Sequence, residues 1–131
     1  MRRFSFPLAL ALCLVSAVAL AAPDRVAVEF EALAASGISG DARLNPMEQQ
    51  AVTRVQVQLK GLQPNTEYVA LIFSEGTCGS GVSTPLATFT SNPAGNAVYH
   101  VDVNQDISAI GSISVQLATD PALLACATVN P

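Results

Sequence analysis

The chain has 131 residues, of which 50% are hydrophobic and 12% are charged, and it contains a single histidine and no tryptophan. This length predicts one domain. The formal net charge of −4 excludes a nucleic-acid-binding protein, because such a protein needs a basic surface. A single histidine also excludes a metal centre built from several histidines.

The first 22 residues have the pattern of a secretory signal peptide. Arg2 and Arg3 give it a positive start, and residues 8–20 form an apolar run that is too short to span a membrane. Ala19-Leu20-Ala21 matches the A-x-A cleavage pattern, so we expect cleavage after Ala21 or Ala22. The mature chain, residues 23–131, is then one acidic domain that is secreted or periplasmic.

Alternation of apolar and polar residues predicts the first three strands of the mature chain. Val55, Val57 and Leu59 point to one side of the third strand, and Arg54, Gln56, Gln58 and Lys60 point to the other. Segments rich in Gly, Pro and Asn separate the strands. The predicted strands are residues 25–33, 41–44 and 54–60.

Five more strands are predicted after residue 60, again separated by turn residues. The first of them is apolar on both faces, which is typical of a covered central strand, and Asp120-Pro121 is expected to end the fourth. A single helical turn fits residues 48–51 or residues 121–124. These five strands are residues 68–73, 85–90, 97–103, 113–117 and 126–129. Eight short strands without an amphipathic helix predict an all-β fold, an antiparallel β-sandwich.

The mature chain keeps two cysteines, Cys78 and Cys126, because Cys13 lies in the signal peptide. An exported protein meets an oxidising environment, and an even number of cysteines there predicts a disulfide. The alternative, a reactive thiol pair, lacks the C-x-x-C spacing. We therefore expect a structural Cys78–Cys126 bond.

Three segments carry a resemblance to a known family. Gly61-Leu62-Gln63-Pro64 precedes a strand, Gly76-Thr77-Cys78 follows that strand, and Leu124-Ala125-Cys126 lies near the end of the chain. In this order they resemble the copper/zinc superoxide dismutases, in which a G-L-x-P turn precedes the metal-ligand strand and a G-x-C cysteine bonds to that of a C-terminal L-A-C. The resemblance implies a Greek-key sandwich, immunoglobulin-like or superoxide dismutase-like in architecture.

Residues 61–68 also look like the tyrosine-corner segment of fibronectin type III domains. That segment lies near the end of those domains, whereas about 60 residues follow Tyr68 here. It therefore supports a sandwich fold and not membership of that family.

The metal ligands implied by the dismutase resemblance are missing from this chain. The family has an H-x-H where residues 68–73 read Y-V-A-L-I-F, and the zinc loop is reduced to residues 79–84 without histidine or aspartate. The later copper-ligand histidine falls near Gln116, and the arginine that attracts superoxide falls near Leu123. A redox copper site needs several imidazoles in fixed geometry, so we expect no metal catalysis, no cofactor and no enzymatic activity.

One candidate for a calcium site remains, formed by Asp102, Asn104 and Asp106. These residues match the first half of a D-x-N-x-D loop, whose oxygen ligands suit a hard cation. The pattern then fails, with Ile107 in place of the glycine and Ile113 in place of the bidentate glutamate. A polar turn explains the same residues. His100, on the outward face beside Asp102, is expected to be a solvated surface residue.

The loop at residues 74–84 has two interpretations. It is either a rigid presented surface held by the disulfide or a shortened connection that remains after the loss of a metal loop. The predicted function is an exported, non-enzymatic binding or structural module of the periplasm or extracellular space, whose partner is an unknown protein or envelope component. The alternative is a copper- or calcium-dependent binding protein, chaperone or superoxide dismutase-related enzyme that completes its site with another subunit.

Overall fold

The computed structural model describes residues 25–47 and 51–131. The predicted signal peptide, its cleavage positions Ala21 and Ala22, and most of the possible helical turn at residues 48–51 lie outside the described residues.

The described residues form eight antiparallel β-strands and one short 3-10 helix, Ile107–Ala109. This architecture confirms the predicted all-β antiparallel fold. The strands are β1 Val26–Ala32, β2 Ser39–Pro46, β3 Thr53–Lys60, β4 Glu67–Phe73, β5 Ser83–Thr90, β6 Ala97–Val103, β7 Ser112–Leu117 and β8 Asp120–Thr128.

The strands are hydrogen-bonded in the order β5-β4-β7-β8-β1-β2-β3-β6. We call β1, β2, β3 and β6 sheet A, and β5, β4, β7 and β8 sheet B. Strand β1 joins them, because Val26 to Phe30 pair with β2 whereas Glu31 and Ala32 pair with β8. The chain crosses between the sheets from β3 to β4, from β5 to β6 and from β6 to β7, as in a Greek-key-like fold.

The hydrophobic core lies between the two sheets. In β3, Val55, Val57 and Leu59 are at most 1% exposed, whereas the alternate side chains Gln56 and Gln58 are exposed. Tyr68, Ala70 and Ile72 of β4 and Ile113 and Val115 of β7 complete the same buried cluster from sheet B. Each large aliphatic side chain buried in this way stabilises the fold by about 1.5–3 kcal/mol.

The last strand is longer than the sequence indicates. The seventh strand ends at Leu117, as the sequence predicts, and the break that follows it lies at residues 118–119 instead of Asp120-Pro121. Strand β8 begins at Asp120 instead of Cys126, so the possible helical turn at residues 121–124 is wrong. Proline is tolerated at the start of a strand, where a missing N–H does not interrupt a regular ladder. Here the register between β7 and β8 shifts on both sides of Gln116, because Gln116 pairs with Leu123 and Leu117 pairs with Asp120, which leaves Pro121 between paired residues.

Candidate functional site

Cys78 and Cys126 form the expected disulfide. Cys78 lies in the loop after β4 and Cys126 lies in β8, with an Sγ–Sγ distance of 2.03 Å and a Cα–Cα distance of 5.9 Å. Cys126 pairs in register with Ser114 of β7, on the face of sheet B that points away from the core. The bond therefore holds the loop against the outer face of sheet B.

Hydrogen bonds tie the same loop, residues 74–82, to the strands below it. The Ser112 hydroxyl donates to the Glu75 carbonyl oxygen at 2.8 Å, and the Thr128 hydroxyl donates to the Gly76 carbonyl oxygen at 2.9 Å. Ser112 and Ser114 are 0% exposed although they alternate with core residues. The loop thus acts as a cover for this part of sheet B, and we call it the cover loop.

The outward face of sheet B includes side chains of β4 and β7. On β4 the side chains that alternate with the core are Val69 and Leu71, both half-buried, and their partners in register on β7 are Gln116 and Ser114. The Ser114 hydroxyl is buried and has no hydrogen-bond partner among the described residues. The side chains around Ser114 are therefore a mixture of aliphatic and uncharged polar groups, with one unsatisfied hydroxyl among the described residues.

The three calcium-candidate residues are all exposed, and the two carboxylates are engaged with other groups. Asp102 on β6 accepts a hydrogen bond of 2.9 Å from Arg54 Nε, and this bond lowers the pKa of the Asp102 carboxyl. Asp106 accepts hydrogen bonds from the backbone N–H and the hydroxyl of Ser108, which lower its pKa. Within residues 25–47 and 51–131, no three His, Cys, Asp or Glu side chains form a group that fits a metal ion.

The outer face of sheet A is open and polar, and the strand registers arrange its side chains in rows. The first row runs from Asn45 to Arg54 to Asp102, with Arg25 beside Asn45 at the start of β1. The other two rows are Ala27, Arg43, Gln56 and His100, and then Glu29, Asp41, Gln58 and Val98. His100 is exposed on this face next to Asp102, as the sequence predicts.

Positive charge is concentrated in the first two rows. Arg25, Arg43 and Arg54, which we call the arginine cluster, surround Asn45 on neighbouring positions. Arg25, Arg43, Asn45 and Gln56 line a depression of about 460 Å³. Arg43 makes only a long contact, 3.6 Å, with Asp41, and its side chain is 68% exposed. This depression thus presents guanidinium and amide groups to solvent.

Sequence reasoning did not identify the arginine cluster. The three arginines are far apart in the chain, and only the register between β1, β2 and β3 brings them together. The available signal is that Arg43 and Arg54 each alternate with buried residues of their own strand, which places both on an outward face.

Comparison with protein-family models and with curated proteins finds no match to this chain. No helix in the described part of the chain is long and apolar enough to cross a membrane.

Proposed function

We propose that this protein is an exported, non-enzymatic binding module of the periplasm or extracellular space. The Cys78–Cys126 disulfide supports export, since disulfides persist mainly in oxidising compartments. The signal-peptide pattern of the first 22 residues points to the same location. Cell fractionation and N-terminal sequencing test the proposal, with Ala22 or Pro23 expected as the first residue.

The observation that carries the binding function is the contrast between the two outer faces. The face of sheet A is open and mostly polar: β2, β3 and β6 contribute Arg, Asn, Gln and His side chains, and the acidic side chains Glu29, Asp41 and Asp102 lie among them. The corresponding face of sheet B is sealed in part by the cover loop, and strands β4, β5, β7 and β8 contain no Lys, Arg or His. A rigid sheet that holds polar side chains at fixed spacing suits recognition of a polar partner.

Affinity capture from the envelope and culture medium of the producing organism tests this function. We expect the immobilised protein to retain a component that free protein displaces. Gln56→Glu, in the middle of the sheet A face, should abolish this retention, whereas Thr88→Glu, on exposed β5 of sheet B, should not. Retention that neither substitution changes would contradict a binding role for the sheet A face.

A second candidate is a superoxide dismutase-related or other metal-dependent protein that completes its site with a partner. The observation in its favour is the bond between the cysteines of Gly76-Thr77-Cys78 and Leu124-Ala125-Cys126, the pairing that the resemblance implies. Metal analysis of the purified protein distinguishes the two candidates. Stoichiometric copper, zinc or calcium supports this second candidate, and its absence supports the binding module.

A further inference from the structure

We propose that the outer face of sheet A binds an acidic polysaccharide through the arginine cluster. This inference rests on the proposed binding function and names the class of ligand. Arg25 and Arg43 hold carboxylates of the polymer, and the Asn45 and Gln56 amides hydrogen-bond its hydroxyl groups.

The charge pattern favours a negatively charged ligand in this one place. The mature chain has four basic and ten acidic side chains, so most of its surface repels an anion. Three of the four basic groups form the arginine cluster. Asp102 is hydrogen-bonded to Arg54, and Asp41 forms a longer ion pair, at 3.6 Å, with Arg43. The first two rows of the face therefore keep a net positive charge, and Glu29 and Asp41 in the third row repel the same ligand.

The chemistry of the side chains favours carboxylates. A guanidinium group donates two parallel hydrogen bonds to a carboxylate, a geometry that an ammonium group does not offer. Arg43 is free to do this because its contact with Asp41, at 3.6 Å, is longer than a hydrogen bond.

The amides between the arginines favour a sugar polymer over an acidic peptide. Asn45 and Gln56 each offer donors and an acceptor, which match the hydroxyl groups of a sugar. Gln56 pairs in register with Arg43, so the Cβ atoms of an amide-bearing and a guanidinium-bearing residue lie about 5 Å apart on adjacent strands. The depression contains only Val26 and Ala27 as apolar lining, which offers little to the side chains of a peptide.

Binding of oligogalacturonate to the purified, disulfide-bonded protein tests the inference. We expect binding that weakens with added salt, because the arginines are exposed, and no binding of neutral dextran. Arg43→Gln should weaken binding about tenfold, the loss expected for one charge-assisted pair. Lys60→Gln removes the same charge from the same face and is the control. Lys60 pairs with Ser39 and is separated from the arginine cluster by the third row, which contains Glu29 and Asp41, so its replacement should change binding less than about twofold.

Three results would overturn the inference. The first is an equal effect of Arg43→Gln and Lys60→Gln, which would indicate attraction by net charge alone. The second is polyglutamate binding as tightly as oligogalacturonate, which would indicate an acidic peptide. The third is salt-sensitive self-association in sedimentation that Arg43→Gln abolishes, which would make a second copy of the chain the partner. Melting temperatures of both variants equal to that of the parent protein would show that a loss of binding does not result from a loss of folding.

The same experiments separate this inference from the proposed function. If oligogalacturonate does not bind but affinity capture still retains a component that Gln56→Glu releases, the ligand class is wrong and the binding function holds. If the sheet A substitutions affect neither assay, both proposals fail.

Discussion

The hydroxyl oxygen of Tyr68 accepts a hydrogen bond of 2.8 Å from the backbone N–H of Gln63, five residues earlier in the chain. This is the geometry of a tyrosine corner, which fixes the chain where it passes from one sheet of a sandwich to the other. Ser91 strengthens the corner, since its hydroxyl accepts a hydrogen bond from Thr66 N and donates to the Gln63 carbonyl oxygen. The turn between β3 and β4 is thus held by side chains of β4 and of the residue after β5.

We predict that Tyr68→Phe destabilises the protein by about 1–2 kcal/mol. The ring remains in the core, but the Gln63 N–H loses its partner in a partly buried position. Chemical denaturation of the variant and the parent protein measures the difference. A free energy of unfolding equal to that of the parent would show that the corner hydrogen bond contributes nothing.

Tyr99→Phe provides the matched control and is expected to have the opposite sign. The Tyr99 hydroxyl is buried without a hydrogen-bond partner among the described residues, and this burial raises its pKa well above the ordinary value of 10.0. An unsatisfied buried hydroxyl costs about 1–3 kcal/mol, so its removal should leave the stability unchanged or increase it. The ring stack with Phe89, 4.8 Å between centroids, is kept. A loss as large as that of Tyr68→Phe would mean that this hydroxyl has a partner.

Local patterns in the sequence predict the strands well where polar and apolar residues alternate. Strand β3 is the clearest example, because each of its outward positions is polar and each inward one after Thr53 is Val or Leu. The pattern fails at the start of β8, where Pro121 indicates a break although residues 120–125 belong to the strand and pair with an irregular register. A proline signal is local, whereas pairing with β7 and β1 is decided by the rest of the fold.

In the candidate site, too, one feature can be predicted from the sequence and another depends on how the strands pair. The disulfide is predictable because only two cysteines follow the predicted signal peptide, and these two pair with each other. The arginine cluster is not, because it depends on which residue of β2 faces which residue of β1 and β3. A shift of register by one residue would turn Arg43 towards the opposite face. The arginine cluster therefore forms only in the observed register of β1, β2 and β3.

We predict that replacing both Cys78 and Cys126 with alanine lowers the free energy of unfolding by about 4 kcal/mol, the chain-entropy contribution of closing a loop of this length. The cover loop keeps its hydrogen bonds to Ser112 and Thr128 but loses its covalent anchor. Amide hydrogen exchange in residues 74–82 of the double variant should be faster than in the parent protein, by a larger factor than in β3. Reduced parent protein is the control and should match the double variant, because both lack the same bond. Equal stability of oxidised and reduced protein would contradict a structural role for the disulfide.

The ion pair between Arg54 and Asp102 predicts a contribution to the free energy of unfolding that depends on pH, and Arg54→Gln should remove it. The hydrogen bond from Arg54 lowers the pKa of Asp102 below its ordinary value of 3.8, so the folded state binds this proton less readily than the unfolded chain. The stabilisation is therefore present above pH 3.8 and is lost as the pH falls through the lowered pKa. Titration of the carboxyl carbons by NMR measures the pKa of Asp102 in the folded protein, and Arg54→Gln should raise this pKa. Asp106 is the internal control, because its pKa is lowered by hydrogen bonds from Ser108 and should not move in that variant. An upward shift of both carboxyls, or of neither, would contradict the specific effect of Arg54.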